Sequence, residues 1–260
     1  MLRRGLSPRS VQVAHRSLHG ALKQAVAWEL IGRNVLGAVR VPKQRKPTVA
    51  YWNAEEVVRF LTFTQSHRLH ALFYTALATG MRRGELVALR WSDVDLSRGR
   101  INIRLNAVAV GGRTLVKEPK SEASRRTVYI QDQDVAVLKA HRERQARERE
   151  LVGPAWAEGD LVFPSQVGSH LSPRNLSRAF DALVKKAGVT QAGFHSMRHT
   201  HASLLIKNGV DDGVVSERLG HTDPGFTRRV YQHLFDEQRS SAALGLMNLV
   251  NSARAQAVPN

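Results

Sequence analysis

His195 and Arg198 stand three residues apart, so on a helix they share one face. Leu219-Gly220-His221 ends the next short predicted helix, with glycine where the chain needs a left-handed residue. Tyr231 follows ten residues after His221. Far upstream, Arg82 comes two residues after the helix breaker Gly80, in the first turn of a predicted helix where amide donors and the positive dipole end gather. Glu85 is three residues further on, placed to pair with that arginine. Taken singly, each has a plainer reading, as a surface arginine at a helix start or a core tyrosine. Together, fixed cations, histidines and a phenol suit attack on a phosphate better than attack on a carbonyl.

Other chemistries fit the same residues less well. His195 and His199 are i and i+4, with His201 and His221 also available as zinc ligands. The metalloprotease pattern puts a glutamate directly after the first histidine, where this chain has Ser196, and Arg198 would set a fixed positive charge beside the metal. Ser196 has no nucleophile-elbow glycines around it, and the only paired glycines, Gly111-Gly112, belong to a hairpin rather than a phosphate loop. The residues thus fit neither a zinc-protease pattern, nor a nucleophile elbow, nor a phosphate-binding glycine loop.

The chain has 39 Lys and Arg against 22 Asp and Glu, a formal charge of +17 and a pI near 11.2. A folded protein this basic most often meets a polyanion, and nucleic acid is the first candidate. There is no cysteine, which excludes thiolate catalysis, disulfides and cysteine zinc sites. The most apolar window, Ala71 to Met81, is too short to span a bilayer, and the N-terminus lacks a signal-peptide apolar region. The expectation is a cytoplasmic protein with no membrane partner.

Elements must bring these residues together. Ser7 and Pro8 open an amphipathic helix predicted over 8–31, followed by a short segment and a proline-bracketed basic linker at 42–47. Helices are expected over 54–66, 69–79, from 81 onward, and over 134–151, 173–187, 196–208, 211–219, 224–234 and 236–251. Between them, 100–108, 113–116 and 125–130 alternate as strands around the Gly111-Gly112 turn. Phe226, Val230 and Leu234 are expected to anchor the helix that carries Tyr231, and the mixed charge of Arg142 to Glu150 reads as a solvated face. The class is mainly α with a small three-stranded antiparallel sheet.

The motifs resemble the tyrosine recombinase, or phage integrase, family. Ala78-Thr-Gly-Met-Arg82-Arg-Gly-Glu85 is similar to its first arginine box, His195-Ser-Met-Arg198 to its H-x-x-R box, and Leu-Gly-His221 with Tyr231-Gln-His to its terminal box. Pro119-Lys120-Ser121, ahead of Ser124-Arg-Arg-Thr-Val, resembles the β-hairpin segment that carries the family lysine. The resemblance implies a catalytic domain at 47–255 with the DNA breaking-rejoining fold, preceded at 1–46 by the end of a helical core-binding domain and a linker. The rest of that domain, on the order of 100 residues, is expected to be missing.

It further implies site-specific recombination of mobile-element type on double-stranded DNA, by a prokaryotic or phage-encoded protein that is monomeric in solution and homotetrameric on synapsed DNA. Tyr231 would be the nucleophile, Arg82 and Arg198 the phosphate clamps, His195 the base, His221 an oxygen donor, Lys120 the acid for the leaving oxygen, and Glu85 the support of Arg82. Two alternatives share these residues: a truncated remnant that keeps cleavage chemistry without productive recombination, and a topoisomerase of type IB.

Overall fold

The structure, a computed structural model, describes residues 5–42, 50–119 and 124–241. Two compact units divide at Thr48 and Val49. In the first, α1 (Pro8–Ala27) is capped by Ser7, whose Oγ accepts from Ser10 N at 3.1 Å. It ends four residues before the predicted 31 because Glu29 takes a left-handed φ of 57° and Leu30 N returns to Ala25 O, closing the helix in a Schellman-like way. Asn34 donates to His19 O and Gln12 donates to Pro42 O, so the following segment folds back along α1. The predicted linker lies outside the described residues from 43 onward.

The second unit begins with α2 (Ala54–Thr64), entered through a capping box of Asn53 and Glu56. Next, α3 (His70–Thr79) is buried on nearly every face, as a helix without a polar stripe must be. Around it, Trp52, Phe60, Phe73, Phe180 and Phe194 form one aromatic cluster with ring centroids 4.8–6.5 Å apart. Gly80 stops α3 with φ 64°, and a Cβ there would lie 2.6 Å from Leu219 Cδ2 and 2.7 Å from His201 Cδ2. Helix α4 (Arg83–Ala88) then lies directly on a strand: a Cβ at Gly84 would come within 2.4 Å of Ala107 O. Glycine at these two positions lets the first arginine box sit against both neighbours.

The mainly α class with a small antiparallel sheet is present, but the strands are divided differently from the expectation. The stretch predicted over 100–108 breaks at Arg104-Leu105. β1 (Val94–Asp95), outside the expected strands, pairs with β2 (Arg100–Ile103). β3 (Asn106–Val110) and β4 (Arg113–Lys117) form a separate two-stranded ribbon across Gly111-Gly112. That tight turn satisfies β3 with β4, so β5 (Arg126–Tyr129) pairs with β2 instead and completes the three-stranded sheet β1-β2-β5.

Helix α5 (Asp132–Val152) does not present a simple solvated face. Glu148 accepts from Arg68 Nε and Nη2 at 3.1 and 2.8 Å, while Arg142 covers the Trp91 ring at 5.2 Å. The helices predicted over 173–187, 196–208 and 211–219 are found as α6 (Pro173–Ala187), α7 (Ser196–Lys207) and α8 (Asp212–Leu219). A second core cluster of Ala202, Ile206, Val215, Leu219, Tyr231 and Leu234 joins α7 and α8 to α9 (Pro224–Ser241). One helix, interrupted at Tyr231 (φ −108°, ψ 18°), covers the predicted 224–234 and the start of 236–251. The remainder lies outside the described residues. Among the described residues no helix is long and apolar enough to cross a membrane.

Candidate active site

The end of α3, the start of α4 and the end of α8 meet around one carboxylate. Arg82 occupies the N-cap position of α4, and Glu85 accepts from its backbone N and from its Nη1, both at 2.8 Å. The other terminal nitrogen of Arg82 donates to Gly220 O at 2.8 Å, at the left-handed close of α8. The expected support of Arg82 by Glu85 is thus present in the geometry. A residue not anticipated from sequence completes it: Arg126, at the start of β5, forms a fork on Glu85 with Nη1 to Oε1 at 3.1 Å and Nη2 to Oε2 at 3.0 Å. Burial alone would raise the Glu85 pKa, but the hydrogen bonds and charge of Arg126, followed by Arg82, hold it below the usual carboxylate value.

Arg198 reaches the same place from α7. Its Nη1 donates to Gly80 O at 2.9 Å, and its Nη2 is buried with no hydrogen-bond partner. Among the described residues it has no carboxylate in ion-pair contact. Burial, with Arg82 and Arg126 nearby, brings its pKa down to about 9, so it remains cationic at neutral pH. Arg82, His195, Arg198 and His221 line a cavity of about 360 Å³, with Asp223 and Phe226 at its side. Phe226, expected as a core anchor, is instead 43% exposed at the cavity, its ring edge-to-face with that of His221 at 4.8 Å between centroids. Of the two further anchors, Leu234 is buried and Val230 partly so.

The histidines divide by their partners. His221 Nδ1 is 2.7 Å from Thr227 Oγ1. His201 bonds through Nδ1 to Leu77 O at 2.8 Å and accepts at Nε2 from Arg218 Nε at 3.1 Å, so both its ring nitrogens are engaged away from the cavity. His195 occupies the N-cap position of α7, and Ser196 Oγ is buried without a hydrogen-bond partner. Tyr231 does not line the cavity. It is 2% exposed, and its hydroxyl sits 2.6 Å from Nδ1 of His199 rather than from His195. The His195 and His199 rings meet edge to face at 4.8 Å, which makes a chain from cavity to phenol. Burial raises the Tyr231 pKa above its ordinary value, against the opposing pull of Arg198.

No descriptor of periodicity singles out Arg126 or His199. The available signal for Arg126 was a basic residue at the start of a strand, and His199 was visible only as one of the zinc-spaced histidines. Lys120 lies outside the described residues.

Burial lowers the pKa of His199 to about 4 and of His201 and His221 to about 3, with Arg198 and Arg218 among the charges adding to the effect. Each is therefore neutral when folded, whereas the unfolded chain takes up protons near the ordinary value of about 6.5. The unfolded state then binds more protons below that pH, so stability is fully present above about 6.5 and falls as pH drops toward 4. Urea denaturation at pH 7.5 and pH 5 should show a lower midpoint at pH 5; equal midpoints would contradict neutral burial of these rings.

The cavity thus joins two arginines and two histidines, with a buried tyrosine behind them. Residues 51–238 match the model of the phage integrase family. The chain belongs to that family. As a phage integrase family member it is a tyrosine-type site-specific recombinase. It is 29% identical to a tyrosine recombinase XerC-like protein of Caldanaerobacter subterraneus subsp. tengcongensis, over 96% of this chain and 68% of that protein. Against the ICEBs1 integrase of Bacillus subtilis the identity is 31%, again over 96% and 68%. The fold is similar to that of the Tn1549 transposon integrase solved with transposon right end DNA, at TM-score 0.79 and 19% identity, covering 94% of this chain and 82% of that one.

Proposed function

We propose that this integrase-family chain cuts and rejoins double-stranded DNA of a mobile element, with Tyr231 as nucleophile. The observation that carries the reading is Arg198, a buried cation with an unpartnered N–H beside Arg82 in a cavity open to a ligand. Such a pair suits the nonbridging oxygens of a phosphodiester, whose charge grows from one toward two as a pentavalent transition state forms. In the step, Tyr231 Oη bonds to phosphorus while the bond from phosphorus to the 5′ oxygen breaks. The product is a 3′-phosphotyrosyl ester and a free 5′-hydroxyl. The 5′ oxygen takes its proton from Lys120. The phenolic proton leaves by way of His199, the ring in contact with the hydroxyl, and His195 beyond it. A Thr227 hydroxyl donating to His221 Nδ1 places the His221 proton on Nε2, the tautomer that can donate to a phosphate oxygen. The ester conserves bond energy, so the reversal by another strand's 5′-hydroxyl uses no nucleotide cofactor.

The same reading assigns 47–255 to the catalytic domain and 1–46 to the end of a core-binding domain. It makes the protein monomeric in free solution, homotetrameric on synapsed DNA, and cytoplasmic in a prokaryotic cell. The +17 charge and the DNA-bound state of the Tn1549 relative support DNA as partner. The test is a nicked suicide duplex that traps the ester. The natural chain should form a covalent protein–DNA band, and Tyr231→Phe should form none while still shifting the duplex in a gel. A band from Tyr231→Phe would remove Tyr231 from the role.

A further inference from the structure

Arg126 is almost wholly buried, with its side chain 5% exposed, yet it does not line the cavity that holds Arg82 and Arg198. Its nitrogens are spent on the protein. The two terminal ones form the fork on Glu85, and Nε donates to Arg218 O at 2.7 Å. Glu85 gives the same two oxygens to Arg82. Arg82 in turn donates to Gly220 O. The contacts close a ring: Arg82, Glu85, Arg126, the carbonyl of Arg218, two residues of chain, and the carbonyl of Gly220 back to Arg82. The ring ties the start of α4 to the start of β5 and to the last turn of α8. Helix C-terminal carbonyls carry partial negative charge, so two guanidiniums that share one carboxylate find further compensation there. The residue after Gly220 is His221.

We propose that Arg126 is a positioning residue of the strand-transfer centre, setting Arg82 through Glu85 and His221 through the terminal carbonyls of α8. This rests on the reading given under Proposed function. A lysine at 126 keeps the charge but loses the planar fork and one of the two directions in which Arg126 holds its neighbours. A displacement of about 1 Å in a clamp can cost on the order of 100-fold in rate.

The experiment compares the natural protein with R126K, R82K and the R82K/R126K pair. The rate of covalent adduct formation is measured on the nicked duplex at saturating DNA and well below each melting temperature. R126K should slow adduct formation by on the order of 10-fold to 100-fold with an unchanged half-saturating DNA concentration. The double variant should be no slower than R82K, because one residue acts through the other.

A wild-type rate for R126K, losses that multiply in the double variant, or a loss explained by weaker DNA saturation would each overturn the proposal. A second arm needs no chemistry: side-chain NMR of the free protein should show restricted rotation of the Arg82 guanidinium in the natural chain and averaging in R126K. Equal restriction in both would also overturn it. A natural protein that forms no adduct would defeat the strand-transfer reading, while the NMR arm still decides whether Arg126 orders Arg82.

Discussion

Arg198→Gln should cut the rate of covalent adduct formation by about 10²–10³, or roughly 3–4 kcal/mol of transition-state stabilisation, while leaving the melting temperature unchanged or raised. The two expectations have one cause. Arg198 is buried among Arg82 and Arg126 with only the Gly80 carbonyl for company and one N–H unpaired. A buried cation without a carboxylate costs the folded state desolvation free energy that a bound phosphate would offset. Glutamine keeps a donor for Gly80 O and removes the charge. Single-turnover assays on the nicked duplex and a thermal melt decide the matter. A variant that loses rate in step with a large loss of stability would show Arg198 to be structural.

Glu85→Gln should act in the opposite direction on stability. Among the described residues Glu85 is the one carboxylate to which both Arg82 and Arg126 are bonded, with side-chain exposures of 3% for Glu85 and 5% for Arg126. Removing one partner of a buried pair leaves an uncompensated charge, at a cost of about 3–5 kcal/mol. For a unit of this size that corresponds to a fall in melting temperature of roughly 6–20 °C, readable by calorimetry. Adduct formation should fall as well, even at temperatures where the variant is fully folded, because Arg82 loses its bracing. A melt within a degree or two of the natural protein would mean that the carboxylate does not hold these cations together in solution.

Much of this was visible in the residues. The capping signal at Ser7, the breakers Gly80 and Gly220, and the ordered motifs around Arg82, Arg198 and His221 all express local geometry, and local geometry is what residue type and spacing encode. Arg82 with Glu85 is such a case, three residues apart on one turn. Arg126 is not: it reaches Glu85 across 41 residues and Arg218 across 92, so only the folded chain discloses the contact. His199 shared its spacing signal with a zinc pattern, and the bond that separates the two readings spans 32 residues to Tyr231. The sheet was misdivided for a related reason. Strand alternation gives the faces of 100–108 but not its partners, and competition between β4 and β5 for those partners is settled in three dimensions.

The break in α9 falls on Tyr231, and no proline or glycine there accounts for it. Backbone at that residue has already left helical geometry while the ring is packed among α7 and α8. A movement of the phenol from core to cavity, as the proposed chemistry needs, would not begin by unwinding a regular turn. It would have to give up the apolar contacts of one aromatic ring and the hydrogen bond to His199. In the proposed strand transfer Tyr231 would then also be a mechanical pivot, and the timing of cleavage would follow how fast one side chain can be re-solvated.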